Sequence, residues 1–144
     1  MSEIDLAGQR VLVIEDEALV MMLLEDSLLD AGCEIAGVAA RIDDALEKAT
    51  SFSFDVAVLD VNLNGRQTFD VARRIAERGI PLVFATGYGA ASLLANFHNV
   101  PILQKPFQQQ DLEAALRLAI SRRPGEGNVV APWEDLHSID EPRQ

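Results

Sequence analysis

With 144 residues, 49% of them hydrophobic and 24% charged, the chain can fill one apolar core but not two. Its formal charge of −11 at pH 7 argues against nucleic acid or an anionic membrane as a partner, because either would need a basic surface to displace counterions. Cys33 is the sole cysteine, which rules out an intrachain disulfide or a thiolate zinc site, and no basic leader or membrane-length apolar run is present, so a cytoplasmic protein is expected.

After a lead-in over residues 1–8, short apolar runs alternate with helix-like segments. Residues 11–14, 33–38, 56–59, 82–85 and 100–103 read as strands, and their nearly unbroken apolar character suits strands buried on both faces. Helices are expected near 17–31, 42–50, 67–78, 89–97 and 109–122, with Gly32 and Gly79 standing where two of them would end. Strict alternation of strand and helix predicts an α/β fold with a mostly parallel sheet covered by helices on both sides. Alternation alone does not fix the strand order, and a flavodoxin-like (βα)5 three-layer sandwich with the parallel five-stranded order 2-1-3-4-5 is expected. The domain is expected over residues 9–122. From Arg123 the composition turns to Pro, Gly and acidic residues, and an acidic, disordered tail over 123–144 is expected. Residues 124–144 hold five acidic residues and one arginine, which leaves residues 1–123 at −7, so the acidity belongs to the domain itself.

In an open parallel sheet, ligands bind beyond the carboxyl ends of the strands. The first strand ends in Glu15-Asp16, the third in Asp60, the fourth in Thr86 and the fifth in Gln104-Lys105-Pro106. Each has an ordinary reading: Asp16 as a helix cap, Asp60 to Gly65 as a loop, Thr86-Gly87 as a turn, Lys105 as a solvated cation. One shared site is the more economical account of four strand ends. Three carboxylates on one rim repel one another unless a cation neutralises them, and Mg²⁺ suits oxygen donors, with the main-chain carbonyl of Asn62 as a further ligand. Asp60 could then attack phosphorus as a carboxylate nucleophile, with Lys105 and the Thr86 hydroxyl stabilising the transferred group.

The motifs Val11-Leu-Val-Ile-Glu-Asp16, Val58-Leu-Asp-Val-Asn-Leu63, Phe84-Ala-Thr-Gly87 and Lys105-Pro-Phe107 resemble, in order and spacing, those of the receiver domain of bacterial two-component response regulators. The resemblance implies a Mg²⁺ site at Glu15, Asp16, Asp60 and Asn62, a phosphoacceptor at Asp60, a switch hydroxyl at Thr86, a phosphoryl-binding lysine at Lys105 and a cis bond before Pro106. It implies a regulatory phosphoprotein that catalyses only its own phosphorylation and dephosphorylation, not an enzyme with an external substrate. The phosphoryl donor would be a sensor histidine kinase or a histidine phosphotransfer protein, and the output would pass through partner proteins, since no second domain is expected in this sequence. One departure stands out. Ile102 occupies the position where such domains commonly carry a switch Tyr or Phe. The loop Phe84-Ala-Thr-Gly-Tyr88 resembles the FATGUY subgroup of single-domain receivers, which makes Tyr88 the candidate replacement and a kinase of HWE or related type the candidate partner.

Rival readings fit less well. A haloacid-dehalogenase-like phosphatase would need a second Asp where Asn62 stands, and Gly87-Tyr-Gly89 is half of a dinucleotide motif in the wrong context. A receiver that kept the fold and lost the chemistry would not be expected to retain every active-site residue type. On the first helix, Val20, Leu23, Leu24, Leu28 and Ala31 are expected to cover the sheet, which leaves Leu19, Met22 and Leu29 as an outer apolar stripe for docking a partner helix.

Overall fold

The computed structural model describes residues 4–87 and 99–122. The order of elements is β1 (Arg10–Ile14), α1 (Ala18–Asp30), β2 (Glu34–Ala39), α2 (Ile42–Ser51), β3 (Val56–Asp60), β4 (Asn62–Leu63), β5 (Arg66–Gln67), α3 (Phe69–Glu77), β6 (Leu82–Thr86), β7 (Ile102–Gln104) and α4 (Gln109–Ser121). Strands β2-β1-β3-β6-β7 form one sheet and all its pairings are parallel. Counting these five alone, the spatial order is the expected 2-1-3-4-5. The expected fourth helix, over 89–97, and Tyr88 lie outside the described residues.

Alternation along each strand sorts the core into two clusters, one on each face of the sheet. Val11, Val13, Val56, Val58, Val83 and Ala85 pack with Leu24 and Leu28 of α1 and with Leu112 and Leu116 of α4. Their neighbours Leu12, Ile14, Ala57, Leu59 and Phe84 pack with Ala45 and Ala49 of α2 and with Phe69, Ala72 and Ile75 of α3. Phe69 meets Phe84 edge-to-face, with ring centroids 6.4 Å apart. Every residue of β3 is buried, which accounts for the continuous apolar run of the central strand.

Several boundaries differ from the sequence expectation, each for a local reason. The last strand begins at Ile102, not residue 100, because Pro101 has no N–H to give to a ladder; its carbonyl still accepts from Phe84 N–H at 3.0 Å. The third helix begins at Phe69, not residue 67, because Arg66 and Gln67 pair back onto Leu63 and Asn62 in a short antiparallel hairpin. Asn64 and Gly65 form its turn, both at positive φ (51° and 85°), the pairing that two-residue hairpins favour. On α1, the expected core stripe needs one correction: Leu23 is 60% exposed, whereas Met21 packs against the core. At about 100° per residue, Leu23 lies about a quarter-turn outside the arc centred on Leu24 and Leu28, while Met21 lies within it. Leu23 therefore joins Leu19, Met22 and Leu29 on the outer face, where all four are more than half exposed.

Candidate functional site

Parallel strands that stop at nearly the same level bring their terminal residues to one rim. β1 passes into Glu15 and Asp16, β3 ends at Asp60, β6 at Thr86, and β7 passes through Gln104 into Lys105. Thr86 and Gln104 are register partners, and the Lys105 amide donates to the Thr86 carbonyl at 2.8 Å, so the lysine is fixed beside the end of β6. The Lys105–Pro106 peptide bond is cis.

Glu15, Asp16 and Asp60 each present a carboxylate oxygen within 4.8 Å of the others. Lys105 Nζ lies 3.2 Å from Glu15 Oε1 and 3.2 Å from Asp60 Oδ2, bridging the two most buried acids. The Glu15 side chain has no solvent exposure and that of Lys105 has 14%. Burial, followed by the charge of Asp60, pushes the Glu15 carboxyl up to about 7 despite the opposing pull of Lys105. For Lys105, burial works against the charge, but Asp60 and Glu15 together outweigh it and raise the ammonium above its usual value. One ammonium among three carboxylates leaves the site short of positive charge. Hard, clustered oxygen donors with no nitrogen or sulfur among them fit Mg²⁺ better than a softer metal.

The remaining expected residues surround this cluster. Thr86 is buried, and among the described residues its hydroxyl makes one long contact, 3.4 Å, to the Gly87 carbonyl. The Asn62 amide donates to Asp60 Oδ1 at 3.2 Å, and its side-chain oxygen accepts from Gly65 N–H at 2.8 Å. Ile102 is 43% exposed on β7, and the outer stripe of α1 begins near the rim, two residues beyond the Glu17 cap.

Two residues of the site's surroundings escape the sequence reading. Asn64 donates its main-chain N–H to Asp16 Oδ2 at 2.9 Å and its side-chain amide to the Ala40 carbonyl at 3.3 Å, tying the hairpin to the acidic pair. Its signal was the Asn64-Gly65 dipeptide, a recognised hairpin former. Thr68 is buried and bonded to the Asp60 carbonyl. A threonine placed inside an expected helix carries no sign of that role.

Comparison with known proteins agrees with this geometry. The family model described as response regulator receiver domain matches residues 11–117. The transcriptional regulatory protein PdtaR of Mycobacterium tuberculosis is 36% identical over 118 residues, covering 79% of this chain; the chain spans 58% of that relative's length. Among solved structures, SdrG from Sphingomonas melonis superposes with a TM-score of 0.72 at 36% identity, covering 81% of this chain and 99% of that one. The receiver domain of PhyR from Erythrobacter litoralis gives a TM-score of 0.73 at 28% identity, with 86% and 98% covered. Receiver domains accept phosphoryl groups, bind Mg²⁺ at an acidic pocket and interact with histidine kinases or phosphotransfer proteins. With the fold, the acidic rim and a family match over most of its length in agreement, the chain belongs to the response regulator receiver domain family.

Proposed function

We propose that Asp60 is the phosphoacceptor of this receiver, taking a phosphoryl group from the phosphohistidine of a sensor histidine kinase or phosphotransfer protein. The observation that carries this reading is the convergence of Glu15, Asp16, Asp60 and Lys105 at one end of the sheet, with three carboxylates within 4.8 Å and one ammonium bridging two of them. An Asp60 carboxylate oxygen attacks phosphorus, an O–P bond forms, the P–N bond to the donor imidazole breaks, and an acyl phosphate results. Glu15, Asp16, Asp60 and the Asn62 carbonyl are the groups that would hold Mg²⁺, whose charge neutralises the incoming phosphoryl oxygens. Lys105, which shares two carboxylates, would then be able to turn toward the phosphoryl group, while Thr86, whose hydroxyl has a long contact to the Gly87 carbonyl, could offer its hydrogen.

The switch belongs to the same proposal. Ile102 cannot rotate a polar ring between two sites, so movement of Thr86 would be passed instead to the segment after β6 that carries Tyr88, in the manner of the FATGUY receivers this loop resembles. A donor of HWE or related kinase type fits that resemblance. The docking surface is the outer stripe Leu19, Met22 and Leu29, widened by Leu23; it starts beside Asp16, where a partner helix could present its histidine over Asp60. The domain's acidity opposes nucleic acid as a direct partner. Among the described residues no helix is long and apolar enough to cross a membrane.

The deciding experiment is intact-mass analysis after incubation with a small acyl-phosphate donor. One phosphoryl group per chain is expected, dependent on divalent cation and absent from Asp60→Asn. Undiminished labelling of that variant would refute the assignment.

A further inference from the structure

Thr68 stands at the N-cap of α3, where a threonine hydroxyl ordinarily accepts from an amide of the first helical turn. It makes no such bond here. The side chain is fully buried, and its hydroxyl faces the opposite way, donating to the Asp60 carbonyl at 2.6 Å with the Val61 carbonyl at 3.2 Å. The Thr68 amide donates to that same Val61 carbonyl at 2.9 Å. Thr68 thus holds both peptide groups that follow the candidate phosphoacceptor, and the helix forgoes its usual cap.

These carbonyls need such a partner. β3 ends at Asp60, the last residue in register with β6, and where the chain leaves the sheet for the β4–β5 hairpin its buried carbonyls need partners beyond the ladder. The orientation of the Asp60–Val61 peptide also sets the direction of the Asp60 carboxylate, which must meet Lys105 Nζ at 3.2 Å and the Asn62 amide at 3.2 Å. At the far end of the hairpin, Asn64 holds Asp16 through its main-chain N–H. The hairpin therefore braces two of the three clustered carboxylates, and Thr68 is the anchor at its base. Filling the space does not require a hydroxyl, since valine has nearly the same shape. The short bond to Asp60 does.

We propose that Thr68 is a positioning residue for phosphoryl transfer, its hydroxyl fixing the peptide after Asp60 and through it the aim of the carboxylate; this rests on the reading of Asp60 as phosphoacceptor. The test compares T68V, T68A and T68S with wild type and D60N, labelled by a small acyl-phosphate donor over a Mg²⁺ titration. Urea denaturation gives the folded fraction, so rates are expressed per folded molecule. Supporting groups of this kind are typically worth about 10-fold to 100-fold in metal affinity or activity. T68V and T68A should label about tenfold more slowly, with a higher half-saturating Mg²⁺ concentration, and T68S should stay within about twofold of wild type although it loses a buried methyl group. T68A supplies a second hydroxyl-free protein should valine not fit the site. Wild-type labelling by a folded hydroxyl-free variant would overturn the proposal. So would a serine variant as slow as the valine one, since that assigns the effect to the methyl. A wild-type protein that takes no phosphoryl group on Asp60 would instead remove the phosphoacceptor reading, and this proposal with it.

Discussion

Replacing Lys105 by methionine keeps most of the side-chain stem and removes the ammonium that bridges Glu15 and Asp60. Each of its two contacts is 3.2 Å long. At an effective dielectric constant of about 20, each attraction is about 5 kcal/mol, but much of that is cancelled by the cost of burying the charges. Breaking a buried pair from one side costs about 3–5 kcal/mol, and the partial exposure of Lys105 places the expected loss near the lower end, about 3 kcal/mol at pH 8. The loss should depend on pH in a definite direction. Glu15 is raised from 4.5 to about 7 by burial and by Asp60, so between those values the folded chain holds a proton that the unfolded chain has released. Stability contributed by that proton is complete below about 4.5 and is lost as pH rises through 7. Without Lys105 the carboxyl rises further, because the lysine was lowering it. At pH 5 Glu15 is neutral in both proteins, the Asp60 contact is the main one forfeited, and the deficit should halve, to about 1.5 kcal/mol. The exposed Glu17, whose carboxylate lies 3.9 Å from Lys105 Nζ, faces the same ammonium and adds a smaller contribution of the same sign. Urea denaturation at pH 5 and pH 8, with and without Mg²⁺, measures all of this; added Mg²⁺ at pH 8 should recover part of the deficit by supplying the missing charge. Equal losses at both pH values, unaffected by Mg²⁺, would show that Lys105 acts through packing and refute the charge argument.

The parts of this molecule that were legible in the sequence are those where one physical requirement acts over a whole segment. A strand such as Val56–Asp60 must be apolar throughout because helices cover both faces, and that requirement is visible without knowing the neighbours. The site was legible for a related reason: strand ends in a parallel sheet share a rim, so Glu15, Asp16, Asp60 and Lys105 come together once a flavodoxin-like strand order is assumed, and the receiver-like motifs support the same grouping. What escaped depends on single contacts. Thr68 looks like any helix-start threonine, and only the folded chain turns its hydroxyl back to Asp60. Leu23 and Met21 are equally apolar and differ only in helical angle from Leu24, so a stripe drawn too wide on one side misassigns one of them. The β4–β5 hairpin is announced in the sequence by Asn64-Gly65 alone, and those two residues fit an open loop before a helix equally well.

Two further outcomes follow from the same geometry. Asp16→Asn removes one of three clustered charges, so the half-saturating Mg²⁺ concentration for labelling should rise by about tenfold or more, whereas the fold, whose core Asp16 does not enter, should keep its unfolding free energy in urea within about 0.5 kcal/mol. A midpoint shift as large as that of the lysine variant would mean that Asp16 is structural. Met22→Lys tests the outer face of α1, where Leu19, Met22, Leu23 and Leu29 leave four large apolar side chains more than half exposed on the face turned from the sheet. Such a patch is costly to keep in water and suits a helix that docks and leaves. A charge at its centre should slow phosphotransfer from the cognate histidine protein by about tenfold, equivalent to about 1.4 kcal/mol of transition-state binding. Labelling by a small acyl-phosphate donor needs no docking and should remain at the wild-type rate. Equal losses with both donors would locate the damage in the fold, and unchanged transfer from both would place the docking surface elsewhere.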